Sequence, residues 1–129
     1  MTIRPAQATD TDAIQAILTE NGLGHDGVDY TVWTHPCLVA VREGRVVWFI
    51  QALAGRPYSM ISELCVARAW HRKGVAPKLL EHMETLLRAM GATCWLTFER
   101  KDDPVMQEYM ERWGAERMGE GIGYLRRLL

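Results

Sequence analysis

A mixed, mostly antiparallel α/β (α+β) sheet of about six or seven strands with about four helices is the fold this sequence predicts, on three observations. Two apolar, β-branched runs, Cys37 to Val41 and Arg45 to Leu53, are joined by Arg42-Glu43-Gly44, the signature of an antiparallel hairpin. The hydrophobic period then changes from two to helical, because Val75, Leu79, Leu80, Met83, Leu86, Leu87 and Met90 recur on one face of one long run. An apolar strand, Tyr58 to Val66, precedes that helix, and another, Thr93 to Phe98, follows it at once. Strand, crossover helix, strand is a parallel unit, whose right-handed geometry brings the two strands close together in one sheet.

The remaining elements follow in order. Thr2 to Ala6 reads as a first strand, and Thr9-Asp10-Thr11-Asp12 offers a helix N-cap with an acid three residues later. Ala13, Ile14, Ile17 and Leu18 form that helix's buried stripe, and Asn21-Gly22 stops it. Gly22 to Pro36, with Tyr30 and Trp33, has room for one short helix. Gly55-Arg56-Pro57 turns the chain into Tyr58–Val66. On the long helix Lys78, Glu81, His82, Glu84 and Arg88 form the polar face, and Gly91 is its C-cap. Pro104 to Trp113 is amphipathic through Val105, Met106, Tyr109, Met110 and Trp113, and strands Ala115–Met118 and Ile122–Leu128 finish the chain. No repeat, low-complexity tract or linker interrupts residues 1–129, so one domain is expected.

Composition excludes several classes. A chain of 129 residues buries roughly two-thirds of its unfolded surface and needs no staple to hold a core. With 15 Lys+Arg against 16 Asp+Glu, a formal charge of −1 and a pI near 6.4, no whole-chain field favours nucleic acid or an anionic membrane. The longest uncharged stretch, Tyr30 to Val41, has 12 residues and contains Pro36, whereas a spanning helix needs about 20. Met1-Thr2-Ile3-Arg4-Pro5 lacks the apolar core of a secretory signal, so a cytoplasmic location is expected. Cys37, Cys65 and Cys94 are odd in number and sit in apolar runs, which suits buried reduced thiols.

The most informative residues are His71-Arg72-Lys73-Gly74-Val75-Ala76, between a strand and the long helix. A helix N-terminus presents unpaired N–H groups and a positive dipole end, so a small-residue entry lets an anion approach the backbone. Gly74 and Ala76 keep that approach open, and Arg72 and Lys73 add charge-assisted contacts to phosphate. Pro77 suits the first helical turn, where its missing N–H would have had no partner, and removes one phosphate donor.

The run from Val66 through Ala67-Arg68-Ala69-Trp70-His71-Arg72-Lys73-Gly74-Val75 to Ala76 resembles the Val-x-x-x-x-Arg-x-x-Gly-x-Gly/Ala run of the GCN5-related N-acetyltransferase (GNAT) family. Ile3-Arg4-Pro5-Ala6 with Asp12 and Ile14 resembles that family's opening, and the element order of essentially the whole chain fits. Three departures stand out: His71 where Gln or Arg is usual, Arg72 where Gly is frequent, and Pro77 so close to the phosphates. The resemblance implies a sheet splayed between its fourth and fifth strands, Tyr58–Val66 and Thr93–Phe98. Acetyl-CoA would lie in that gap, its pantetheine against Cys65 and Val66 and its pyrophosphate over His71, Arg72, Lys73, Gly74, Val75 and Ala76.

Acetyl transfer from a thioester needs a neutral amine, a polarised carbonyl and a proton for the departing thiolate. By the resemblance, the carbonyl is met by a backbone N–H near Cys65 and Val66. Glu63 is the candidate base, a carboxylate in an otherwise apolar strand, with period two placing it on one face with Ile61 and Cys65. Thr97 stands where some family members carry a second glutamate. For the acid, the resemblance implies a tyrosine on the last helix: counting forward from Asp102-Asp103-Pro104 puts Tyr109 at its place, counting back from Trp113-Gly114 puts Met110 there, and only the phenol carries a proton. Cys65 has no adjacent His or acid to activate it, so direct transfer without an acetyl-enzyme is expected.

The resemblance implies an acceptor site walled by Gly22 to Pro36 and the two C-terminal strands, which makes Asp26, Asp29, Tyr30 and Trp33 the candidate acceptor-binding residues, the two acids suiting a cationic amine. His25, Asp26 and His35 have no ligand spacing such as His-x-x-x-His, so no metal is expected. The partner is then a small-molecule or protein amine, with neither nucleic acid nor membrane, and a homodimer through the C-terminal strand Ile122–Leu128 is open. Two rivals are a catalytically degenerate module that binds coenzyme A or a protein without transfer, and a nucleic-acid binder using Arg68, Trp70, His71, Arg72 and Lys73.

Overall fold

The computed structural model describes residues 1–22, 35–70, 76–98, 104–118 and 123–128. Within them lie strands β1 (Thr2–Pro5), β2 (Cys37–Arg42), β3 (Arg45–Leu53), β4 (Tyr58–Val66), β5 (Cys94–Phe98), β6 (Glu116–Arg117) and β7 (Gly123–Arg127). The helices are α1 (Thr11–Glu20), α2 (Ala76–Ala89) and α3 (Pro104–Trp113), with 3-10 turns at Ala8–Asp10 and Arg68–Trp70. The short helix expected within Gly22 to Pro36 falls largely outside the described residues. All seven strands join one sheet in the order β1-β2-β3-β4-β5-β7-β6, antiparallel throughout except for the β4·β5 pair. No helix among the described residues is long and apolar enough to cross a membrane.

Period-two patterning divides the core between the two sheet faces. Leu38, Ala40, Trp48, Ile50 and Ala52 point to one side, where Leu79, Leu80, Met83 and Leu87 of α2 and Met110 of α3 cover them. Their neighbours Cys37, Val39 and Phe49 point to the other, against Ile14, Ile17 and Leu18 of α1. β2 and β3 are therefore buried on both faces, which explains their continuous apolar runs. The hairpin between them is a two-residue turn, Glu43 (φ 53) and Gly44 (φ 75), whose left-handed backbone matches the twist of the strands. All three cysteines are buried and reduced.

The start of α1 differs from the expected Thr9 cap. Asp10 is the organising residue, 6% exposed, holding Arg4 Nη1 and Nη2 at 2.7 and 2.9 Å and accepting the Gln7 backbone N–H at 2.7 Å. The fork-to-fork pair ties β1 to the helix entry, and the Arg4 guanidinium holds the Asp10 carboxyl below its ordinary range. A carboxyl more acidic in the folded chain than in the unfolded one contributes stability above its unfolded pKa and loses it as pH falls through the lower native value. Asp10→Asn should cost about 1–3 kcal/mol at neutral pH, by urea titration. That difference should hold above about pH 5 and shrink below about pH 4. A difference still undiminished near roughly pH 2 would remove the ion pair as its source.

Two further expectations are corrected. Glu84, placed with the polar face of the long helix, is only 4% exposed. Its Oε2 accepts Trp95 Nε1 at 2.8 Å, Arg126 Nε at 3.3 Å and Trp113 Nε1 at 3.4 Å, so it draws α2, β5, α3 and β7 together. The strand considered for dimerisation is not a sheet edge: β7 pairs with β5 along its whole length and with β6 on its other side, and Tyr124 is fully buried.

Candidate active site

The site begins where the one parallel ladder stops. β4 and β5 pair through Tyr58↔Cys94, Ser59↔Trp95 and Met60↔Leu96, after which β4 runs on to Val66 with no further β5 partner among the described residues. At the next position the Thr97 hydroxyl, buried, donates to the Ile61 carbonyl at 3.0 Å in place of a backbone rung. On the other side of β4 the register with β3 slips by one: Gln51 faces Glu63 and Ala52 faces Ile61, so Ser62 is a bulge. Ser62 Oγ lies 3.2 Å from Gln51 Oε1 and 3.3 Å from Gln51 O, which holds the bulge in place.

The bulge revises the facing of β4. Ile61 packs in the α2-side core and Cys65 in the α1-side core, so Glu63 shares a face with Cys65 and not with Ile61. Glu63 itself is half-buried. Backbone direction follows from the Ala67 N–H, which donates to Val47 O at 2.9 Å. Hydrogen-bonded pairs alternate along an antiparallel ladder, so Cys65 and Glu63 turn their amides to β3, while Leu64 and Val66 turn theirs toward the gap. Of the two residues expected to meet the cofactor here, Val66 turns its backbone to the β5 side of the strand, where its carbonyl accepts Asn21 Nδ2, and the Cys65 thiol lies on the α1 side.

The end of β4 is clasped by α1. Asn21 Nδ2 donates to Ile17 O at 2.8 Å and to Val66 O at 3.0 Å, and Glu20 Oε1 accepts the Arg68 N–H at 2.8 Å. Asn21, read from sequence only as a helix stop, is thus also a strand anchor.

Ala76 is the first residue of α2 and is buried, and Pro77 lies in its first turn as expected. His71, Arg72, Lys73, Gly74 and Val75 lie outside the described residues, as do Asp26, Asp29, Tyr30 and Trp33 and the potential ligands His25 and Asp26. On α3, Met110 is 2% exposed and belongs to the core. Tyr109 is half-buried against the same core that Leu64 and Val66 border, and its hydroxyl is buried without a hydrogen-bond partner. Burial pushes this phenol up to about 12, so it stays protonated at any physiological pH.

A cavity of about 760 Å³ lies elsewhere, between α2, α3 and β7, lined by Glu84, Arg88, Arg112, Trp113 and Arg126 among others. Arg88 and Arg112 occupy the last turns of α2 and α3, where cations complement the negative helix ends, so their charge there is a structural matter. Among the described residues no group of three or more His, Cys, Asp or Glu stands ready to hold a metal ion.

Gln51, Ser62 and Thr97 were not singled out as a unit in the sequence. The available signal was the consecutive polar pair Ser62-Glu63 inside an apolar strand, which breaks period two and marks the bulge.

The sequence model described as the acetyltransferase (GNAT) family matches residues 9–124. The chain belongs to the GNAT acetyltransferase family. Family membership makes it a transferase by class. Solved structures of similar shape include Ard1 from Thermoplasma volcanium, at TM-score 0.84 and 19% identity, covering 99% of this chain and 97% of that one. The ribosomal-protein-alanine N-acetyltransferase from Brucella melitensis matches at TM-score 0.81 and 20% identity over 98% and 99% of the two chains. The PaiA N-acetyltransferase from Thermoplasma acidophilum, solved in complex with coenzyme A, matches at TM-score 0.79 and 12% identity, covering 98% of each. At these identities the likeness is one of fold. A search of curated protein sequences finds no match.

Proposed function

We propose that residues 1–129 act as one GNAT domain that transfers the acetyl group of acetyl-CoA directly to a primary amine of a small molecule or protein. The observation that supports this reading is the fork in the sheet: three parallel rungs, after which β4 runs on to Val66 without a β5 partner among the described residues, with an unspent phenolic donor on α3. An extended pantetheine arm can lie along such an edge as an added strand, its amides meeting the backbone of Leu64 and passing beside Val66. Its pyrophosphate would rest on residues His71 to Ala76, which lead into α2. Coenzyme A in the PaiA structure supports this choice of cosubstrate.

The nitrogen lone pair attacks the thioester carbonyl, a backbone N–H of β4 steadies the oxyanion, and the C–S bond breaks as the C–N bond forms. Glu63 takes the proton that the amine loses, and Tyr109 gives a proton to the thiolate of coenzyme A. Asp26, Asp29, Tyr30 and Trp33 would wall the acceptor. The Brucella relative's name supports a protein amine as one acceptor class.

The test is a thiol-release screen of amines with acetyl-CoA, run beside Glu63→Gln. The substitution is expected to lower kcat about 10²-fold with the KM for acetyl-CoA unchanged. Undiminished turnover in Glu63→Gln would strike out the base while leaving the cosubstrate in place. Silent calorimetric titration with acetyl-CoA up to millimolar concentration would overturn the reading and favour a module without transfer.

A further inference from the structure

Three features fix where the sheet opens, and one residue joins them. The parallel ladder has its last rung at Met60↔Leu96, the bulge sits at Ser62, and between them the Thr97 hydroxyl reaches the Ile61 carbonyl at 3.0 Å. Had the ladder continued, Ile61 and Thr97 would form its next rung, with strands about 4.8 Å apart. A side-chain hydroxyl in that place satisfies the carbonyl across a longer path, through Cβ and Oγ, and so keeps the two backbones apart. β5 itself stays in its ladder with β7 there, because Thr97 and Phe98 remain paired with Tyr124 and Gly123. The divergence is therefore taken up by β4, whose gap-facing Leu64 lies three residues on, about 10 Å along the strand.

We infer that Thr97 is a positioning residue: its bridge to Ile61 sets the point and width at which the fork opens, and through Ile61 and the Ser62 bulge it sets the edge that receives the thioester arm. This rests on the proposed cosubstrate and adds a determinant of how its acyl-bearing half is held. A Thr at this place is thus more than a missing glutamate. It contributes no proton and touches no reacting atom.

The test compares Thr97→Val, which keeps the shape and removes the donor, with Thr97→Ser, which restores the hydroxyl. Two ligands are titrated by calorimetry: acetyl-CoA, and adenosine 3′,5′-bisphosphate, which carries the nucleotide end of the cosubstrate and no pantetheine. Thr97→Val is expected to weaken acetyl-CoA at least fivefold while changing the bisphosphate less than twofold, and Thr97→Ser to return acetyl-CoA to within twofold of wild type. The bisphosphate also reports that the variant is folded. Equal losses for both ligands, no loss for either, or no recovery with Ser overturns the positioning role alone. A wild-type protein that takes up no acetyl-CoA overturns the cosubstrate assignment and this role with it.

Discussion

Tyr109→Phe is expected to lower kcat for acetyl transfer by about 10²-fold while leaving the fold as stable as before or more so. The two effects have one cause. The Tyr109 hydroxyl is buried and unpartnered, and an unmet buried donor costs roughly 1–3 kcal/mol that Phe does not incur. The same unspent donor is what a departing thiolate needs. Burial raises the phenol to about 12, so it remains a donor across the working pH range, and any ionisation-linked loss of stability is confined to pH values above the ordinary phenol value near 10. Steady-state kinetics and urea unfolding on the same preparation check both halves. Met110→Leu is the matched control, a volume-conserving change in the core at under about 1.5 kcal/mol with no proton at stake. If Tyr109→Phe turns over at the wild-type rate, the acid lies elsewhere.

Glu84→Ala should be among the most damaging truncations for stability, at about 3–5 kcal/mol. One carboxylate oxygen serves two indole N–H groups and a guanidinium, and removing it leaves all three donors without their acceptor. Against a total of about 5–15 kcal/mol for an ordinary domain, that shifts the urea midpoint far toward zero. Glu84→Gln retains one carbonyl acceptor and should recover part of the loss. The Trp95 bond, at 2.8 Å the shortest of the three, carries the largest share, and Trp95 fluorescence would report its release. A cost below about 1 kcal/mol for Glu84→Ala would mean that water substitutes for the carboxylate there.

The sequence and the structure agree where hydrophobic period decides, and part where a single polar side chain decides. The switch from the continuous apolar run in Arg45–Leu53 to helical spacing in 76–90 marks the sheet and α2 because burial acts on many residues at once. Parallel pairing of the strands flanking α2 follows from chain geometry in the same way. Glu84 could not be read as buried, because its partners Trp95, Trp113 and Arg126 are 11 or more residues away and meet it only after folding. The reversal of Ile61 and Cys65 to opposite faces had the same origin, since a bulge is one residue of slippage that composition barely registers. At the candidate site, motif and residue chemistry single out Val66 and Tyr109 in the sequence. The facing of the Leu64 amide and the Thr97 bridge needed the register.

The sealed cysteines have a practical corollary. Cys37, Cys65 and Cys94 are 7%, 6% and 5% exposed, and burial pushes the Cys37 thiol up to about 12. Sulfur of this kind is a poor nucleophile, so the native protein should contribute almost no colour with a chromogenic aromatic disulfide reagent. Coenzyme A set free by turnover would then be the one reactive mercaptan in the cuvette, and the enzyme's output can be counted continuously against a dark background.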